Sequence, residues 1–375
     1  MNNLEAKKAL LSCPGDTIQE TLDTIEMSQA ELAERLGRSI PKLNELIKGK
    51  APITKDTALK LEYVLGIPSS FWLNLERRYQ DELLEIKQLE FFEECVTWLK
   101  RFPLLIMKKW GLLPQTNDKP ILVEALLKYF RVASPKQWAE IYVGKSLAFK
   151  IELRHTTEPE AISVWLRLGE LQAEKIEAAA FDKKQIRARL PEIQMLSYEL
   201  PTDWVSKLQQ ICAECGIVLV YTPCIAKAPI YGATRWIKNN RLPLIQVTDR
   251  KKDVNAFWFT FYHELAHILY HGKKDIFIDG LESIKPDKEK EDEADAFATR
   301  MLLSDKQRRE LGTYAIFDKK LILSLSEKFK IHTGIIVSQL QRDKRIAYND
   351  AQLTKLKGKV VFGKFEVSNF LYSLI

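Results

Sequence analysis

The run His263-Glu264-Leu265-Ala266-His267 places two imidazoles at positions i and i+4, with a carboxylate directly after the first. On a helix those imidazoles stand one turn apart on one face and can converge on a single divalent ion. Imidazole nitrogens hold Zn²⁺ at about 2.0–2.1 Å. Glu264 then sits where it can take a proton from a water activated at the ion, the chemistry of metal-assisted hydrolysis. The chain has only 5 histidines, and His263, His267 and His271 lie within a single short stretch.

The neighbouring sequence must supply a helix for this spacing to mean anything. Residues 242–248 read as a short apolar strand, ended by the charged run 249–253. A helical pattern follows from Val254 through Phe257, Phe261, Leu265, Ile268 and Leu269, with Gly272 as its stop. Catalytic zinc needs a third protein ligand and an open position. The segment Glu291-Asp-Glu-Ala-Asp-Ala-Phe-Ala298 is the supplier. Ala294, Ala298, Met301 and Leu302 recur at helical spacing, and Glu291 and Asp295 share their side. Glu291 is therefore assigned as third ligand and Asp295 as the acceptor that orients a ligating imidazole, with Glu293 as fallback ligand. Asp287, Glu289 and Glu293 are also explained as carboxylates at a solvated helix N-terminus. His271, one turn beyond His267, has two readings: a contact to substrate or oxyanion, or a polar cap of the helix. Tyr262 is a candidate oxyanion donor and, more ordinarily, a packing aromatic.

With these motifs in view, residues 200–345 resemble the ImmA/IrrE family of zinc metallopeptidases. The resemblance is carried by Cys215-Gly-Ile-Val-Leu-Val-Tyr221, Ile230-Tyr-Gly-Ala233, the strand at 242–248, the helix through His271 and the acidic motif at 291–298. Asp295 stands where members often have asparagine; either accepts an imidazole proton. The resemblance implies a gluzincin-like domain that cuts a repressor-type partner protein.

A second constellation lies near the N-terminus. Ser28 and Glu31 form the pattern of a capping box, Gly37 closes the short helix, and Ser39 caps a second helix that Gly49 stops. Two short helices around a tight glycine turn form a helix-turn-helix, with the second helix suited to the major groove. Leu32, Ala33, Leu36, Leu43, Leu46 and Ile47 form the apolar side. Arg38, Ser39, Lys42, Asn44, Lys48 and Lys50, with Gln29, are left as candidate DNA contacts, Arg and Lys for phosphate or guanine and Asn or Gln for adenine. The other reading is an ordinary solvated helical hairpin. Ser28-Gln-Ala-Glu-Leu-Ala-Glu-Arg-Leu-Gly37, Gly49-Lys-Ala-Pro-Ile-Thr54, Asp56-Thr-Ala-Leu-Lys-Leu61 and Leu65-Gly-Ile-Pro-Ser-Ser-Phe-Trp-Leu-Asn-Leu75 resemble HigA-type antitoxins of the phage-repressor superfamily. That resemblance covers 12–80 and implies five short helices binding operator DNA, usually as a homodimer.

These parts predict a mainly α protein with a small β-sheet (α+β). Its expected segments are a helix-turn-helix domain at 1–81, a helical middle at 82–198, and a zincin-like peptidase domain at 199–375 with a helical end. In the middle, Trp98, Leu99, Phe102, Leu104 and Trp110 predict a bend around Pro103, and a helix is expected from Trp165 to about Phe181. His155 reads as a solvated loop residue. At the far end, 321–329 and 334–341 form two more helical patterns, read as the structural close of the peptidase domain in preference to a second DNA reader. A net charge of +7 over 375 residues is compatible with DNA. No membrane span is expected, and an odd count of 5 cysteines without a secretion signal points to a cytoplasmic chain. Cys212 and Cys215 read as packing residues. Function is expected to be that of a DNA-binding zinc endopeptidase that cleaves a regulator, or itself. The alternative is a HigA-like antitoxin or transcription regulator whose zinc site is structural or sensory.

Overall fold

The computed structural model describes residues 3–143, 158–226, 228, 230–248, 250–272, 277–279 and 288–360. His155 and Asp287 lie outside the described residues. The chain forms two compact units, Met1–Thr97 with Asn117–Glu124, and Trp98–Thr116 with Ala125–Ile375.

The first unit is helical: α1 (Asn3–Leu10), α2 (Pro14–Thr24), α3 (Gln29–Arg35), α4 (Ile40–Ile47), α5 (Lys55–Leu65) and α6 (Ser69–Glu94). Ile18, Leu22, Leu32, Leu43, Leu61 and Trp72 form its core. The helix-turn-helix is α3 and α4, joined through Gly37, whose φ of +65° is the left-handed conformation that a side chain resists. Only half of the expected capping box forms. Ser28 Oγ accepts from Glu31 N–H at 3.1 Å, while the Glu31 carboxylate pairs instead with Arg35 at 2.6 Å. Ser39 occupies the N-cap of α4 without a side-chain hydrogen bond, and Pro41 presets the first turn. A complete box stands one helix earlier, between Cys13 and Asp16. The boundary expected at 81 falls inside α6, which has no Gly or Pro to break its 26 residues. α1 packs along it, with Lys8 paired to Glu90 at 2.6 Å.

The second unit holds the rest. α7 (Val96–Leu99) leads into it, and a break at Pro103 precedes α8 (Leu104–Lys109). Then come α9 (Lys119–Phe130), shared between the units, α10 (Pro135–Tyr142), α11 (Pro159–Ala173), α12 (Lys183–Glu199) and α13 (Trp204–Glu214). The helix expected at 165–181 instead starts at Pro159 and stops at Ala173. Beyond it the backbone turns outward to bond elsewhere, Ala179 N–H to Ala213 C=O and Asp182 N–H to Cys215 C=O. Next are β1 (Val218–Tyr221), β2 (Gly232–Ile237), β3 (Leu242–Val247), α14 (Val254–Tyr270) and β4 (Phe277–Asp279). The chain continues through α15 (Lys288–Leu302), α16 (Asp305–Gly312), α17 (Lys319–Phe329), α18 (Thr333–Arg342) and α19 (Ala351–Thr354). The protein is thus α+β, with a four-stranded sheet in the order β1-β3-β2-β4, β1 parallel to β3 and the other pairs antiparallel.

Both faces of the sheet are covered. Ile245 and Val247 of β3 face a core built by Phe261 and Leu265 of α14, Ala294 and Ala298 of α15, and Ile335, Ile336 and Leu340 of α18. The helical end packs into this same core, and Arg345 ties it down by donating to Leu311 C=O at 2.7 Å. Cys212 and Cys215 are buried in the same core, and burial raises both thiols above their usual range. No helix among the described residues is long and apolar enough to cross a membrane.

On the reverse face, Leu244 and Gln246 meet α11. Gln246 Nε2 donates to Trp165 C=O at 2.7 Å and to Thr222 Oγ1 at 2.9 Å. Arg235 of β2 is 1% exposed, donates to Leu166 C=O and to Gln246 Oε1 (3.1 Å), and lies 3.3 Å from Glu170. α11 is therefore the rear layer of this sheet, not part of a separate middle. Arg235→Ala should leave Glu170 paired to Arg167 alone (2.7 Å) and strip the donor from the buried Leu166 C=O and Gln246 Oε1, at a cost of about 1–3 kcal/mol. A urea-unfolding midpoint equal to that of the parent would remove this network from the interactions that hold the sheet.

Candidate metal centre

α14 reaches the site as a helix buried almost all round, because the sheet, α15 and α18 pack against it. Asp253 starts it, accepting from Ala256 N–H at 2.8 Å, and it ends at Tyr270 with His271 in an extended C-cap, one residue short of Gly272. Its partner α15 crosses close by, since the buried residues at the contact include Ala294 and Ala298.

His263, His267 and Glu291 come together with ligand atoms all within 4.8 Å of one another. His263 Nε2 is 3.0 Å from His267 Nε2 and 3.2 Å from Glu291 Oε2, and His267 Nε2 is 3.7 Å from Glu291 Oε1. Donors about 2.0–2.1 Å from one tetrahedral ion stand about 3.3–3.4 Å apart, so the set fits zinc. The outer ring nitrogens give a stronger test. His263 Nδ1 is 2.8 Å from Asp295 Oδ1, so that nitrogen carries the proton and donates it. His271 Nε2 is 3.1 Å from Glu293 Oε2, which leaves His271 Nδ1 to accept from His267 Nδ1 at 2.8 Å. Both Nε2 atoms therefore present lone pairs to the same point as the Glu291 carboxylate. Such a convergence suits a cation. Burial above all, then His263, His271 and Lys290, pushes the His267 imidazole down to about 2, which keeps it in the neutral form a ligand needs.

Glu293, the fallback ligand, is half exposed and serves His271 instead. Asp295 reaches His263 from a more exposed position than its shared side with Ala294 and Ala298 suggested, its side chain 58% accessible. Both nitrogens of His271 are engaged, so its ring is directed at His267 and not at the ion position. Tyr262 is fully buried and packs on Trp258 and Phe261, and burial raises its phenol well above the usual range. It does not join the imidazoles.

Glu264 is fully buried beside the cluster. Its backbone carbonyl accepts from Thr234 Oγ1 at 3.0 Å, which ties α14 to β2. Gly232 explains itself here. A Cβ at that position would stand 2.5 Å from Glu264 Oε1 and 2.7 Å from Thr260 Cγ2, so a larger residue would have to displace the carboxylate or Thr260. The glycine was visible in the Ile230-Tyr-Gly-Ala233 motif, although its task was not. Phe277 was unforeseen; its ring stacks on His267 with centroids 3.8 Å apart.

In the first unit, Lys42, Lys48, Lys50 and Ser39 are exposed, and Asn44 is half-buried. Gln29 bonds Gln19 at 2.5 Å, and Arg38 bonds Thr57 Oγ1, so these two are already engaged within the protein.

Residues 212–340 match the family model of the IrrE N-terminal-like domain, a peptidase family. YddM of Escherichia coli (strain K12), an uncharacterized HTH-type transcriptional regulator, is 38% identical over 66 residues, 18% of this chain and 70% of that protein. Virulence-associated protein I of Dichelobacter nodosus is 33% identical over 73 residues, 19% of this chain and 68% of that protein. A solved addiction module antidote protein of a HigA family, from Coxiella burnetii, aligns with 22% of this chain and 92% of its own at 30% identity, with a TM-score of 0.21. The chain therefore carries an IrrE N-terminal-like domain at residues 212–340 and joins it to an N-terminal domain of the HTH-type regulator family.

Proposed function

We propose that this chain is a zinc endopeptidase carried on an operator-binding domain, and that it cleaves a regulatory protein of the repressor type. The observation that supports the reading best is the convergence of His263 Nε2, His267 Nε2 and Glu291 next to a fully buried Glu264. A purely structural site has no use for that glutamate. Bound zinc supplies Lewis acidity, polarising the scissile carbonyl and making water a competent nucleophile near neutral pH. Glu264 accepts a proton from the attacking water and delivers it to the leaving amine. Asp295 fixes the ring of His263, and His271 with Glu293 fixes the ring of His267; these are positioning residues. Gly232 keeps the space that Glu264 occupies. At the other end of the chain, Lys42 and Lys48 of the α4 region meet phosphates, and operator binding brings the peptidase near regulators at the same site.

A second reading, a regulator with a sensory or structural metal, draws support from the N-terminal relative named as an HTH-type transcriptional regulator. Glu264→Gln separates the two. The variant should keep zinc and its thermal midpoint, while cleavage of regulators encoded beside this chain falls about 10²–10⁴-fold. Proteolysis at the parental rate in that variant would falsify the role of Glu264. Gly232→Ala should act on the same step: zinc stays bound, but the displaced carboxylate costs turnover, an effect to be read as lower kcat at similar zinc content. If kcat is unchanged, strand β2 does not position the base.

The DNA-binding part is tested independently. Exchanging Lys42 and Lys48 for Gln should weaken binding to operator and non-operator duplexes alike. The log–log salt slope should become shallower by about one per lysine. Electrophoretic shifts indifferent to both changes would move the DNA-contacting surface away from α4.

A further inference from the structure

The face of α14 that bears His263 and Glu264 continues toward the helix N-terminus through Phe259, Thr260 and Ala256, where it walls a cavity of about 450 Å³. The rest of the lining includes Ser338, Gln341 and Arg342 of α18, with Tyr231, Lys251 and Lys357. The cavity adjoins the metal centre. Phe259 stacks on His263 with centroids 6.2 Å apart, and Thr260 abuts Gly232, the residue that also abuts Glu264. Thr260 and Glu264 are one turn apart, about 6 Å along the helix, which is the length of about two extended residues.

Two independent properties of the lining indicate a ligand. Ser338 Oγ and Gln341 Oε1 are buried, at 9% and 1% residue exposure, and make no hydrogen bond among the described residues. Gln341 spends its Nε2 on Ala347 C=O at 3.4 Å, so its free oxygen is an acceptor waiting for an N–H. A buried helical hydroxyl such as Ser338 ordinarily bonds back to the preceding turn, and here it does not. The second property is charge. Lys251, Arg342 and Lys357 have no ion-pair partner among the described residues, while the carboxylate of the lining, Asp253, is engaged in capping α14. Lys251 and Arg250 lie 4.6 and 4.9 Å from the centre of the Tyr231 ring, and Arg342 lies 5.5 Å from that of Phe259. These rings hold the cations at the cavity without neutralising them.

The geometry points to this cavity as the subsite for an acidic polypeptide segment, an Asp or Glu side chain lying about two residues from the bond to be cleaved. The inference rests on the endopeptidase reading and names its substrate class. A backbone N–H of the segment satisfies Gln341 Oε1, and the carboxylate faces Arg342, Lys251 and Lys357. A basic side chain at that point is repelled.

Binding is measured with the full-length Glu264→Gln protein loaded with zinc, by fluorescence anisotropy. The probes are three labelled peptides of one length, with Ala alternating with Glu, Gln or Lys. The Glu peptide should bind about tenfold more tightly than the Gln peptide, with the Lys peptide weakest. The double variant Lys251→Gln, Arg342→Gln should lose that preference while keeping its zinc content and thermal midpoint. Equal affinity for the three peptides overturns the inference, as does a preference that survives the double change. So does displacement of the Glu peptide by a single-stranded oligonucleotide of tighter Kd. The parent protein is then incubated with peptides from a digested proteome. Cleavage sites enriched in Asp or Glu near the cut support the subsite, and cleavage without that enrichment sinks it. A preference in binding with no cleavage of any peptide leaves the subsite standing and removes the endopeptidase reading.

Discussion

Two imidazole lone pairs and a carboxylate are directed at one point, in surroundings where His263 and His267 are almost inaccessible to water. In a medium of low polarity that arrangement repels itself unless a cation sits at the focus. The protons that could relieve it are committed elsewhere, on the Nδ1 atoms that face Asp295 and His271. Everything around the site serves to keep those rings from turning away. Phe277 stacks on His267, Phe259 stacks on His263, and the C-cap backbone places His271 within reach of Glu293. The ring orientations are therefore fixed by groups outside the His263–His267–Glu291 set, which is what a metal bound at that point would need to keep its affinity.

A helix carrying so many polar groups can be buried only if its neighbours are rigid. The sheet provides this because both its faces are covered, and the rear cover is polar as well as apolar. Arg235, Gln246, Glu170 and the backbone of α11 are linked by hydrogen bonds and an ion pair behind the strands that lie over Glu264. Thr234 of β2 then bonds the Glu264 backbone from the front. One strand thus connects the rear network to the residue proposed as general base.

The parts that could be read from sequence are those with a local period. The two imidazoles, the acidic partner helix, the helix-turn-helix and the strand at 242–248 each show a spacing that belongs to one element. Glu291 was legible because a carboxylate on the side of Ala294 and Ala298 needs a partner, whereas Asp295 shares that spacing but meets His263 from a largely exposed position. What stayed hidden depends on contacts between distant segments. The extent of α6 past 81 reflects an uninterrupted helix that the resemblance at 12–80 did not cover. The place of α11 behind the sheet follows from Arg235, whose partners lie 65 or more residues earlier apart from Gln246. The pairing of Glu293 with His271 needed the crossing geometry of α14 and α15, and without it a solvated helix terminus explained Glu293 equally well.

That crossing carries the remaining argument. Alternate residues of α15 meet different histidine chemistry on α14: Glu291 at the ligand cluster, Glu293 at His271 and Asp295 at His263. Ala294 and Ala298 lie between and beyond them at the buried contact, and their small side chains let the helices approach closely enough for short carboxylates to reach. Larger residues at these two positions would add apolar area to the core and yet lengthen all three polar contacts at once. The packing distance between two helices is thus itself a determinant of ligand geometry. A one-residue slip of α15 against α14 would move every carboxylate by about 100° around its axis and take each away from its histidine.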